Sequence, residues 1–168
     1  MKISTFSEST DQEPYATFYR AFIDKGLNVP KPLVLMSASP SLFNIYKQIL
    51  MHYITHDTLQ PGLLACIRYA IAYRSHFAAC VAMNRDILRI HEVTDLTYLE
   101  QERPWSGLTD TESQIFSFTM DALFHPDQVT EFRMQQLTSM EISEQHLFEA
   151  AFHGSLLLMM GPLVASLG

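Results

Sequence analysis

Between residues 42 and 53 the apolar positions are Leu42, Ile45, Tyr46, Ile49, Leu50 and Tyr53. That spacing, i, i+3, i+4, i+7, belongs to one face of an α-helix. Ser39 stands before it as an N-cap, and Pro40 falls in the first turn, where a missing N–H costs nothing. A second stripe, Ile115, Phe118, Ala122 and Leu123, follows the pair Thr109 and Glu112, which has the spacing of a capping box. His125 and Pro126 close that helix. A shorter helix is predicted over residues 130–139, and a long one from the N-cap Ser143 to about residue 160. An N-terminal helix is predicted over residues 12–25, ending at Gly26. Only VLMSA at 34–38 has the composition of a strand, and it is short and alone. LNVPKP at 27–32 is expected to be a connector. ERPWSG at 102–107, with the only tryptophan, Trp105, is expected to be a loop. No repeat of 20–50 residues is present. The pattern predicts an all-α protein, one helical domain over residues 1–168.

The middle of the chain departs from the amphipathic pattern. Over residues 63–73 the sole charge is Arg68, and over 77–83 the sole arguably polar residue is Cys80. Helices that are apolar on all sides are buried. Two in succession imply a central hairpin covered by other helices or by another subunit. A homo-oligomer (dimer, trimer or hexamer) is therefore expected.

Composition narrows the partners. Of 168 residues, 48% are hydrophobic and 17% charged, and the formal net charge is −7. An acidic chain lacks the basic face that nucleic acid or an anionic membrane requires. The opening MKISTFSEST has no apolar core of a signal peptide. The run SLLLMMGPLVASLG at 155–168 reads as too short for a bilayer and as broken by Gly161 and Pro162. A soluble, cytoplasmic protein without membrane or nucleic-acid partners is expected. Two cysteines make no disulfide framework.

Candidate chemistry is sparse. Cys80 near a helix start has two open readings. It is a small buried hydrophobe, or a nucleophile activated by the helix dipole and by His76 four residues upstream, if the helix includes His76. Cys66, in the preceding helix, approaches Cys80 if the two helices pack antiparallel. His52 and His56 have helical metal-ligand spacing, followed by Asp57, but no third ligand is specified, and no metal is expected. Arg68 must find a polar partner, either a structural one or an acidic ligand for which it is the anion anchor. The nine methionines read as core filling. No Ser-His-Asp arrangement, phosphate loop or dinucleotide fingerprint occurs, and no cofactor is expected.

Three stretches carry a resemblance: LQPGLLACIRYAIAYRSHFAACVAMNRDIL at 59–88, GLTDTESQIFSFTMDALFHPDQVTE at 107–131 and LTSMEISEQHLFEAAFHGSLL at 137–157. Their order and helix spacing resemble the carboxymuconolactone decarboxylase family, and within it the alkylhydroperoxidase D-like proteins. The likeness covers roughly residues 33–165, with 1–32 as an N-terminal helix and connector. It implies a single helical domain of about six to eight helices. Redox members of the family use a glutamate, a Cys-x-x-Cys pair and a histidine. The resemblance places the attacking cysteine at Cys80, the resolving cysteine at Phe77, the histidine at Asn84 and the glutamate at Ala65. Phe77 cannot take part in thiol–disulfide exchange. Ala65 has no proton to move, and Asn84 is no base near neutral pH. Three functions stay open: a scaffold with a largely lost redox site, binding a small apolar or acidic ligand or none; a one-cysteine peroxidase using Cys80, His76 and an external thiol; and a cofactor-independent lyase for a small lactone or acid. In the first, Phe77, Tyr69 and Tyr73 line the old pocket. In the last, Arg68 holds a carboxylate, and His76 or His91 is the acid or base.

Overall fold

The computed structural model describes Thr5 and residues 11–167. Among the described residues there are nine α-helices and one 3-10 turn, with no strand. The excess over the expected six to eight comes from two short helices that periodicity does not reveal. The chain divides into two compact units, Met1–Thr55 with Met160–Gly168, and His56–Met159.

The first unit contains α1 (Tyr15–Ile23), α2 (Lys31–Met36) and α3 (Pro40–Ile54). Tyr15, Phe18 and Tyr19 of α1 meet Val29, Leu33 and Phe43 in a small aromatic core. The Tyr15 and Phe43 rings meet edge-on, 4.6 Å apart, a geometry that suits their quadrupoles. The segment VLMSA at 34–38, short and alone as a strand candidate, is part of α2 and the turn after it. Pro32 lies in the first turn of α2, so LNVPKP is a connector only as far as Pro30. A lone strand would leave its backbone groups unpaired, whereas one helical turn satisfies them locally. The stripe of α3 also turns. Phe43, Tyr46 and Leu50 pack on the aromatic core, while Leu42 and Ile45 are exposed.

The second unit contains α4 (Pro61–Arg74), α5 (Ala78–Ile90), α6 (Thr97–Glu100), α7 (Asp110–Phe124), α8 (Glu131–Ser139) and most of α9 (Glu144–Leu167). Helix α4 lies at its centre, against α5, α6 and α7. Nine of its 14 residues are buried, which explains why it carries no polar face. The capping box of α7 is present, with Thr109 and Glu112 each satisfying the other's backbone N–H. The Ser143 hydroxyl accepts the His146 N–H at the start of α9. In the ERPWSG loop, a Cβ on Gly107 would lie 2.2 Å from the Trp105 ring, so the indole covers a position where only glycine fits.

The break expected at Gly161 and Pro162 does not occur. Helix α9 runs on to Leu167, 24 residues in all, and its most apolar 18-residue window has a mean hydropathy of 1.6, long and apolar enough to cross a membrane by length and composition. Of that window 28% is buried, including Ala150, His153 and Gly154 in the second unit.

Four helices end on residues in the left-handed region that are not glycine: His76, Glu92, Glu102 and Glu141. Each is followed by the paired bonds of a Schellman cap, such as Phe77 N–H to Ala72 O and His76 N–H to Tyr73 O. At α1 the same position is Gly26, as the sequence predicts.

Candidate functional site

The α4–α5 hairpin presents its polar side chains at positions 68 and 84. Arg68 Nε donates to Asn84 Oδ1 at 2.8 Å. Asn84 Nδ2 donates to the Cys80 carbonyl, also at 2.8 Å. A guanidinium only donates and a carbonyl only accepts, so the two contacts fix the orientation of the Asn84 amide. The third member is His153 of α9, whose Nε2 lies 2.8 Å from Arg68 Nη1. That nitrogen must accept, which assigns the ring proton to Nδ1. His153 is 5% exposed. Burial, reinforced by the Arg68 charge, holds its pKa well below the ordinary histidine value. The imidazole is therefore neutral at neutral pH, with the lone pair of Nε2 committed to Arg68.

His153 reaches Arg68 because α9 comes close to α4 and α7 at the next residue. A Cβ on Gly154 would lie 2.7 Å from Ile71 Cδ1 and 2.6 Å from Leu123 Cδ1. The close approach needs a residue without a side chain. Sequence reasoning missed His153. Its signal was the His-Gly pair, the polar and small interruption in the apolar run AAFHGSLLLMM at 150–160.

The cysteines lie apart from this network's chemistry. Both are free and buried. Burial alone pushes the Cys80 thiol above its ordinary pKa. Burial and the Glu112 carboxylate push Cys66 up to about 12, with Arg68 opposing. An attacking cysteine needs the opposite shift. His76 occupies the turn before α5, exposed and at φ 58°, and α5 begins only at Ala78. The condition for His76 and Cys80 to share a helical face is not met. Among the described residues, no hydrogen bond joins them.

The remaining positions fall as follows. Ala65 is fully buried in α4, and half-buried Phe77 is the N-cap of α5. His91 follows α5 and lies beside Gly62, whose Cβ would be 3.8 Å from the ring. Tyr69 stacks on Tyr73 with centroids 6.2 Å apart. Its hydroxyl donates to Glu100 Oε1 at 2.8 Å, so it is directed at α6. His52 is in the last turn of α3, in the first unit. His56 lies past the end of α3 and clamps its own loop. Its Nδ1 accepts from the Thr58 and Leu59 N–H groups at 3.1 and 3.0 Å. Nε2 then carries the proton and donates to Glu149 Oε2 at 2.8 Å. Each ring nitrogen of His56 thus has a structural task.

No family model matches the sequence, and no curated protein matches it. Among solved structures, an uncharacterized peroxidase-related protein from Ralstonia eutropha JMP134 with an alkylhydroperoxidase AhpD core superposes with a TM-score of 0.72. The alignment covers 99% of this chain and 90% of that one, at 15% sequence identity. The fold is that of the alkylhydroperoxidase AhpD core. The sequence resemblance thus leads to the right scaffold. On it, α4 and α5 are the helices to which the resemblance assigns the redox residues, and the polar group between them is Arg68–Asn84, completed by His153 of α9.

Proposed function

We propose that this chain uses the AhpD scaffold without two-cysteine peroxidase chemistry, and that its centre is a recognition site for a small acidic ligand anchored by Arg68. The observation that carries the reading is the fixed guanidinium. Asn84 Oδ1 and His153 Nε2, each at 2.8 Å, hold Arg68 in one orientation, and a pre-oriented fork is what carboxylate recognition requires. The thiols support the negative half of the reading. Cys80 and Cys66 are buried with raised pKa values, and Phe77 stands at the position the resemblance gives to the resolving thiol.

The test has two arms. In the first, purified chain is given hydrogen peroxide and dithiothreitol. Turnover no greater than that of Cys80→Ser is expected, and robust turnover abolished by Cys80→Ser would overturn the reading. In the second, thermal unfolding is followed with succinate and glutarate. Stabilisation of the wild type but not of Arg68→Lys is expected, because lysine keeps the charge and loses the fork. Equal stabilisation of both proteins, or of neither, would remove Arg68 as the anchor.

A further inference from the structure

The residues next to the Arg68 centre build a second polar site facing the other way. A cavity of about 440 Å³ is lined by Arg85 and Arg89 of α5, by Val93, Asp95 and Leu96 of the connection, and by Glu100 of α6. That volume lies within the range of small-molecule sites. Arg85 and Arg89 are four residues apart and share one face of α5. The wall is braced from behind by Tyr69, which is fully buried. Its hydroxyl donates to Glu100 Oε1 at 2.8 Å. The buried phenol therefore orients the Glu100 carboxylate on the cavity wall. Asp95 is held as well, its Oδ1 accepting the Thr97 N–H at 3.0 Å. Arg89 pairs with Asp86 at 3.1 Å on the solvent side.

Two guanidinium groups and two carboxylates thus face one cavity, with Val93 and Leu96 as its apolar surface. A dianion placed there would meet Asp95 and Glu100, and a diamine would meet both arginines. Either brings like charges together, which costs affinity. A ligand with one charge of each sign avoids both conflicts. We propose that this cavity binds a small zwitterion of the α-amino-acid class, its carboxylate on Arg85 and Arg89, its ammonium on Glu100 and Asp95, and its hydrocarbon side chain on Val93 and Leu96. The site is separate from the Arg68 centre and does not depend on the function proposed for that centre.

Isothermal titration calorimetry on the full chain tests the assignment with L-leucine, N-acetyl-L-leucine and L-leucine methyl ester. L-leucine is expected to bind, and each derivative, lacking one charge, to bind at least about tenfold more weakly. Glu100→Gln and Arg89→Gln are each expected to weaken L-leucine by a similar factor. Glu100→Gln also alters the partner of Tyr69, so Arg89→Gln decides: its side chain is mostly exposed, and its unfolding temperature should equal that of the wild type. Absence of L-leucine binding at millimolar concentration, equal binding of the derivatives, or unchanged binding by Arg89→Gln would each overturn the proposal. Arg68→Lys should leave L-leucine binding intact, which separates this site from the other centre.

Discussion

Arg68 and Tyr69 are neighbours in α4, and Asn84 and Arg85 are neighbours in α5. The first member of each pair belongs to the centre completed by α9, and the second to the cavity beside α6. Successive side chains on a helix diverge by about 100°, so one hairpin presents two unlike polar groups. In the centre a cation is held by an amide and a neutral imidazole, both buried. At the cavity a buried phenol holds one carboxylate, and two guanidinium groups stand on the facing wall. The two contacts in the centre fix the direction of the Arg68 guanidinium. Polar groups facing a cavity keep valence for something else.

The largest expected effect lies on the closed side. Asn84→Ala removes the acceptor of Arg68 Nε and the donor to the Cys80 carbonyl, and should cost about 2–4 kcal/mol in urea unfolding. A cost near zero would mean that the centre is not a structural unit, and the contrast would fail.

The pH dependence comes next. His153 has a depressed folded pKa, caused first by burial and then by Arg68. Below the ordinary value of about 6.5 the unfolded chain takes a proton that the folded chain refuses. The contribution of His153 to stability is therefore full above that pH and declines as pH falls below it, by at most about 1.4 kcal/mol per pH unit. His153→Gln should flatten the slope between pH 6.5 and 5, measured by unfolding at successive pH values.

Thiol reactivity sharpens the comparison further. Iodoacetamide at pH 7 should label neither cysteine appreciably in the folded chain and both in denaturant, as read by mass spectrometry. Fast labelling of folded Cys80 would show an activated thiolate and break the picture of an inert centre. The smallest effect belongs to the open side. Arg89→Gln should change stability by no more than about 0.5 kcal/mol, the usual range for a surface substitution.

The scaffold was largely legible in the sequence because helix periodicity and caps are local signals. The Thr109–Glu112 box, the Ser143 cap and Gly26 lie where the pattern placed them. What failed were short elements and long-range contacts. Periodicity over so few residues did not mark α2, whose residues 34–36 fell in the short, lone segment VLMSA. Arg68 was legible as a charge in need of a partner. Asn84 was visible only as the residue at the family's histidine position. His153 lies 85 residues from Arg68, and no local pattern joins two side chains at that separation. The close approach at Gly154 that brings them together is a property of three packed helices. His76 carries the same lesson. Its distance from Cys80 in sequence suits a helical pair, but the Schellman turn puts it outside the helix.

The left-handed caps bear on how such a protein can change. His76, Glu92, Glu102 and Glu141 each hold a conformation that disfavours a side chain, and the strain is of the order of 1 kcal/mol per residue. Glycine at His76, Glu92 or Glu141 relieves it without touching either polar group, with a partial offset from the freer unfolded chain, whereas at Glu102 it would remove the carboxylate paired with Arg74. The fold therefore contains three sites of latent stability. A lineage, or a designer, that first takes some of them gains tolerance for costly replacements at Arg68, Asn84 or His153. The ends of the helices, rather than the centre, set how far the chemistry between them can drift.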